Sequence, residues 1–268
     1  MSIMSSPGFV RGPAGVIRAV LRWYPVPVVL LLWELLSRSG MVSPRLMPSL
    51  VRIGDAFVTD LWAGEIPYQA SISLGRSFSG YGLAIVFGIV LGLLMARVRW
   101  IEAVFEPLFS FTYPVPKIAL YPIFIFVFGL GTLSKVALIF LECLYPITVN
   151  TYYAVKAVDR KLIWSALNMG ATPAQVFRKV MLPAAAPGIF TGLRVALPIS
   201  LIVVVITEMI GESKGLGYYI SYSIASFEYA TAFAGVIAIA IIGFTLDRIL
   251  LLTRRSLIFW ERMSSAYA

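Results

Sequence analysis

Long apolar stretches separated by short polar ones dominate the chain. A helix needs about 20 apolar residues to cross a hydrocarbon core about 30 Å thick. Six stretches approach that pattern: residues 23–39, 78–98, 117–130, 133–153, 188–210 and 229–253. They predict an all-α polytopic fold with six transmembrane helices. Pro25 and Pro27 interrupt the first stretch, and the third is short and follows the proline-rich FTYPVP. The second carries Gly80, Gly82, Gly88 and Gly92, with the last two in G-x-x-x-G spacing. Small residues let helix backbones approach closely. The stripe therefore serves packing within one subunit or contact with a second copy.

The polar punctuation is densest between the fourth and fifth stretches, over residues 159–183. Asp159 stands where it can cap a helix running from Arg160 to about Met169. Gly170 suits the left-handed position that ends such a helix. Thr172-Pro173-Ala174-Gln175 then reads as a capping box, with threonine at the N-cap, proline at N1 and glutamine at N3. A second short helix follows and stops at Leu182-Pro183, because proline cannot donate the helix hydrogen bond and restricts the residue before it. Arg178 and Lys179 fall in its last turn, where the macrodipole favours cations. Trp164, Leu167, Val176, Phe177 and Val180 form an apolar surface too large for a solvent loop. It either packs on the bases of its own spans or presents part of itself to a soluble partner.

Composition agrees with a membrane protein. Of the 268 residues, 59% are hydrophobic and 13% charged, against about 25% charged in soluble domains. The net charge of +9 does not point to nucleic acid, because the basic residues sit at the ends of apolar runs rather than in one patch. Such placement sets orientation. With the N-terminus inside, Arg11, Arg18, Arg22, Arg97, Arg99, Lys156, Arg160, Lys161, Arg178, Lys179, Arg254, Arg255 and Arg262 face inward. Only Arg45, Arg52, Lys135 and Lys214 face outward. Both termini and segment 159–183 are then cytoplasmic, and tails 1–22 and 261–268 flank a membrane domain 23–260. No small-residue cleavage site follows the first apolar run, which reads as a span rather than a leader.

Several chemistries are excluded. A single cysteine, Cys143, allows no internal disulfide, and the absence of histidine removes any histidine base. It also argues against zinc or haem. No G-x-x-x-x-G-K-[ST] loop is present. GLGTLSK (129–135) and GESKGLG (211–217) lack that arrangement and read as turns on the outer side. Energy from ATP would have to come through another chain.

The transport candidates are charges and breaks at membrane depth. Pro114, Pro116 and Pro122 interrupt what would be one long span. Broken backbone is tolerated there only where protein covers it or it lines a wet cavity, so the stretch is a kink or part of a path. Glu142 lies mid-span, where an ionisable residue is a functional candidate by default, with Lys117 or Arg194 as the partner to weigh. Glu34 lies four residues before Arg38 near a span end, so a local pair or snorkelling explains it. Glu208 is expected to be wet at the outer end of its span, and Arg194 to snorkel toward the inner face.

Segment 159–183 resembles the signature loop of ABC-importer permeases. Ala166, Gly170 and Val180-Met181-Leu182-Pro183 match its spacing, while Trp164 and Ser165 stand where that family has Glu-Ala. SLGR, YPVPKIALYPIFIFVFGLGTLSKV, YPITVNTYYAV, LPAAAPGIFTGLRVAL and EMIGESKGLGYYI are similar in order and spacing to the branch importing nitrate, taurine and aliphatic sulfonates. The resemblance covers residues 73–260. It implies a type I importer-like fold whose loop is a coupling helix, docking on an ATPase through Trp164, Ala166, Leu167, Gly170, Ala171, Thr172, Pro173, Gln175, Val176 and Phe177. It also implies two ATPase copies holding ATP and Mg, a second permease copy in a homodimer, and a periplasmic or lipid-anchored substrate-binding protein, all at a bacterial inner membrane. This chain would bind no cofactor and catalyse no reaction itself. Pro114, Pro116, Lys117, Pro122, Glu142, Arg194 and Glu208 are the path candidates. The rival readings are an ion-coupled secondary transporter, with Glu142 and Asp247 as carriers and inverted repeats, and a membrane scaffold without transport.

Overall fold

A computed structural model describes residues 24–43 and 45–260. The expected tails 1–22 and 261–268 lie outside the described residues. The described residues form helices throughout: α1 (Pro25–Arg38), α2 (Leu50–Trp62), α3 (Glu65–Arg97), α4 (Arg99–Thr112), a 3₁₀ turn (Lys117–Leu120), α5 (Tyr121–Phe128), α6 (Thr132–Lys156), α7 (Arg160–Asn168), α8 (Pro173–Val176), a π turn (Phe177–Met181), α9 (Leu182–Glu208), α10 (Leu216–Ala225) and α11 (Tyr229–Leu257).

Four of these are long and apolar enough to span a membrane: α3, α6, α11 and the continuous Pro173–Glu208 stretch. The six expected spans are redistributed. The third is a bent pair rather than one helix: α4 and the stretch Lys117–Phe128 meet at 91° around the Pro114 and Pro116 break. The first apolar run gives the 14-residue α1, which begins at Pro25 instead of being broken there. Proline is tolerated in a first turn, where its missing N–H has no partner to lose. The second span begins at Glu65, well before the expected residue 78. The 33 residues of α3 reach about 50 Å at 1.5 Å per residue, so its polar first third extends beyond the apolar band.

The centre of the fold is α6, gripped between α3 and α9. Tyr81, Ala84, Leu138, Ile139, Cys143, Ile147, Leu193, Ala196 and Val204 are buried together between these three helices. Small residues make the grip possible. A Cβ on Gly92 would lie 2.6 Å from the Thr148 carbonyl oxygen, one on Gly88 2.8 Å from Ile147, and one on Gly192 2.8 Å from Asn150. The glycine stripe of the second apolar stretch thus serves internal packing. Gly82 faces open space. Gly92→Leu is expected to force α3 from α6 and cost about 1–3 kcal/mol, read as a lower unfolding temperature in detergent. Gly82→Leu should leave that temperature unchanged.

Candidate functional site

The polar loop forms as its residues dictate. Asp159 accepts from the Lys161 amide at 2.9 Å and starts α7. Gly170 closes it with φ +84°. The Gly170 amide donates to Leu167 and the Ala171 amide to Ala166, the paired bonds of a Schellman ending. Thr172 and Gln175 form the reciprocal capping box of α8.

Leu182-Pro183 does not stop the chain. The π turn Phe177–Met181 carries α8 directly into α9, giving one 36-residue helix, Pro173–Glu208. In an ordinary α ladder Pro183 would lack a bond to residue 179 and its ring would press on that carbonyl. The wider turn, in which the Leu182 amide reaches back to Phe177, opens the ladder around the proline. Arg178 and Lys179 therefore lie inside a continuous helix, not at a dipole end.

The apolar surface of the loop divides between two roles. Ala166 and Val176 are buried, and Phe177 packs beneath the Arg97 guanidinium, 4.8 Å from its ring centre. Trp164, Leu167 and Met169 stay exposed, at 59%, 43% and 81%. Under the loop, Ile163, Leu167, Val176, Phe177 and Met181 line an apolar cavity of about 260 Å³. Beside it, Lys156 bonds Glu102, which also accepts from the Tyr152 hydroxyl at 2.6 Å.

At the opposite end of the helices sits a buried charge cluster that sequence reasoning missed. Glu208, expected to be wet, is 1% exposed. Its carboxylate accepts from Arg76 Nη1 at 2.9 Å, from the Ser73 hydroxyl at 2.7 Å and from the Gly217 amide at 3.1 Å. Arg76 Nη1 also donates to the Lys214 carbonyl at 3.0 Å, and Arg76 Nη2 lies 3.2 Å from Glu212. Lys135, expected on the outer surface, is fully buried; its Nζ lies 2.5 Å from Glu212 and donates to the Leu130 carbonyl at 2.7 Å. Gln69 accepts from the Gly215 amide and Ser73 from the Leu216 amide. Burial works to raise the Glu212 carboxyl, but Lys135, the Ser213 amide and the Arg76 charge prevail and hold it below the usual carboxylate range. SLGR, the lysine ending GLGTLSK and EMIGESKGLG are thus one site assembled from α3, α6 and the α9–α10 turn. Of the two glycine segments expected to be turns, 129–131 and 211–215 are non-helical, whereas 132–135 form the first turn of α6 and 216–217 begin α10.

The path candidates separate into four places. Pro114, Pro116, Lys117 and Glu142 line one cavity of about 440 Å³ together with Tyr113, Tyr145 and Asn150. Arg194 is not a partner of Glu142; it pairs with Asp247 at 2.8 and 3.3 Å. That same pair occupies the aspartate an ion-coupled carrier would need. Pro122 is exposed in the first turn of α5, and Glu208 belongs to the buried cluster.

Residues 84–258 match the family model of the binding-protein-dependent transport system inner membrane component. The chain belongs to this family. The permease is 33% identical to the formylaminopyrimidine transport permease protein ThiX of Halalkalibacterium halodurans, over 81% of this chain and 86% of that protein. It is 30% identical to the taurine transport system permease protein TauC of Escherichia coli (strain K12), over 87% of each. Its fold is similar to the crystal structure of an amino acid ABC transporter with histidines, with a TM-score of 0.57 and 18% identity over 80% of this chain and 97% of that one. The chain is thus a membrane-embedded permease component of an ABC importer. Residues 84–258 include the loop, the cavity and Glu208 but begin after Ser73 and Arg76.

Proposed function

We propose that this permease couples ATP hydrolysis on a separate ATPase to alternating access for a small polar solute, with segment 159–183 as the docking element. The observation that carries the reading is the rigid presentation of that segment. A glycine turn and a capping box hold α7 and α8, exposed Trp164 and Met169 stand at the tip, and α8 continues without a break into the span α9. A push on the loop then moves a membrane helix directly.

In this reading the positive-inside pattern places the loop and both termini in the bacterial cytoplasm. Two permease copies sit on two ATPase subunits, which hold ATP and Mg. A periplasmic or lipid-anchored binding protein delivers the solute to the far face. Closure of the ATPase pair favours the outward-open state because the pair binds that state more tightly. Sulfonates, nitrate and related small compounds are the solute class.

Trp164 occupies the position of the family's glutamate, so the contact there is apolar. Trp164→Ala should leave the unfolding temperature of the permease unchanged and weaken its affinity for the ATPase about tenfold, the loss of roughly 1.4 kcal/mol at an aromatic anchor. Titration of labelled ATPase onto the permease in nanodiscs measures it. Undiminished affinity would move the docking surface elsewhere.

A further inference from the structure

We propose that the cavity between the 112–117 break and α6 is a transit site for a small zwitterion, with Lys117 receiving the solute's anionic group and Glu142 its cationic group. This rests on the importer reading above and narrows its solute. The cavity's two charged side chains are of opposite sign. Both are half-buried, and no ion pair within 4 Å joins them.

The surroundings hold the two charges apart and leave them available. Lys117 lies in the 3₁₀ turn after Pro116, its Nζ 5.4 Å from the centre of the Tyr145 ring. Glu142 stands near the middle of α6. Asn150 is fixed by its donation to the Pro146 carbonyl at 2.7 Å. Tyr113 and Tyr145 stack at 5.2 Å and supply an aromatic wall.

A carboxylate beside the one cationic group among the described lining residues opposes a simple anion. An anion arriving at Lys117 meets repulsion from Glu142, and a cation at Glu142 meets it from Lys117. A molecule bearing both charges meets neither. The cavity is large enough for a molecule of a few heavy atoms with its hydration partly retained. Its aromatic wall offers a face to an ammonium group. The cavity therefore discriminates by requiring both signs, which is specificity by repulsion of the wrong partner as well as attraction of the right one.

The test uses the permease–ATPase complex in nanodiscs without its binding protein, so that selection by the binding protein does not intervene. The probes are 2-aminoethanesulfonate, ethanesulfonate and ethylamine, followed by equilibrium dialysis. The zwitterion is expected to bind at least about tenfold more tightly than either singly charged probe. Glu142→Gln should erase its advantage over ethanesulfonate, and Lys117→Gln its advantage over ethylamine. Exchanging the pair, Lys117→Glu with Glu142→Lys, should restore zwitterion preference with the solute reversed. Equal binding of all three probes by the wild type, binding of none, or a preference untouched by both single variants overturns the proposal. ATP-driven uptake is measured in parallel with the same permease–ATPase complex reconstituted in proteoliposomes, with the binding protein added. Its absence would count against the importer reading, whereas its presence without the charge preference would sink only the zwitterion site.

Discussion

Replacing Arg76 by alanine is expected to lower the unfolding temperature of the permease by roughly 10 °C and to reduce ATP-driven uptake to background. The substitution leaves Glu208 buried without its charge partner and removes the side chain that also bonds the Lys214 carbonyl. Breaking one side of a buried pair costs about 3–5 kcal/mol, and about 1 kcal/mol shifts the midpoint of a domain this size by roughly 2–4 °C. Glu208→Gln should be milder, because an amide oxygen can still accept from Ser73 and Gly217. The double variant should be less damaged than the sum of the two, since no lone charge remains. A thermal scan of the four proteins decides it. An Arg76→Ala midpoint equal to the wild type would mean that the cluster does not hold α3, α6 and the α9–α10 turn together.

Gly170→Val is expected to separate hydrolysis from transport. A Cβ at Gly170 meets nothing within 4 Å, so the penalty comes from the backbone alone, held at φ +84°. An L-residue pays about 1–2 kcal/mol in that region, and a β-branched one is strongly disfavoured there. The turn would relax, and the angle between α7 and α8 with it. In proteoliposomes, ATP hydrolysis should continue while solute moved per ATP falls about tenfold. Gly170→Asn should retain most of the coupling, because asparagine tolerates the left-handed region. Wild-type stoichiometry in the valine variant would contradict a fixed-angle loop.

The loop was legible because its determinants are local. Asp159, Gly170, Thr172 and Gln175 each act within a few residues, and their bonds are those that the spacing predicts. Pro183 misled for an equally local reason: a stop was inferred from the α ladder, and the chain uses a π turn instead. Glu208 was misplaced because its partner lies 132 residues away. Arg76 stands just before the hydropathy rise at residue 78, yet it is buried inside a longer helix that begins at Glu65. The same distance effect hid Lys135. What could have found the cluster is the pairing of two sequence blocks, SLGR and EMIGESKGLG, each with a charge of opposite sign beside glycines. The bend at Pro114 and Pro116 was visible as a break, but its 91° angle was not.

The π turn also fixes rotational phase. Along an α-helix, removing one residue turns everything beyond it by about 100° relative to what precedes it. Anywhere in α9, such a deletion would swing either the loop or Glu208 out of alignment. Within Phe177–Met181 the turn already holds one residue more than an α turn, so a deletion there can be absorbed by tightening it, leaving both ends facing as before. Pro183 opposes that tightening. The proline thus acts as a wedge that keeps the turn open, and the open turn sets the angular relation between the loop and a charge cluster some 50 Å away along the helix.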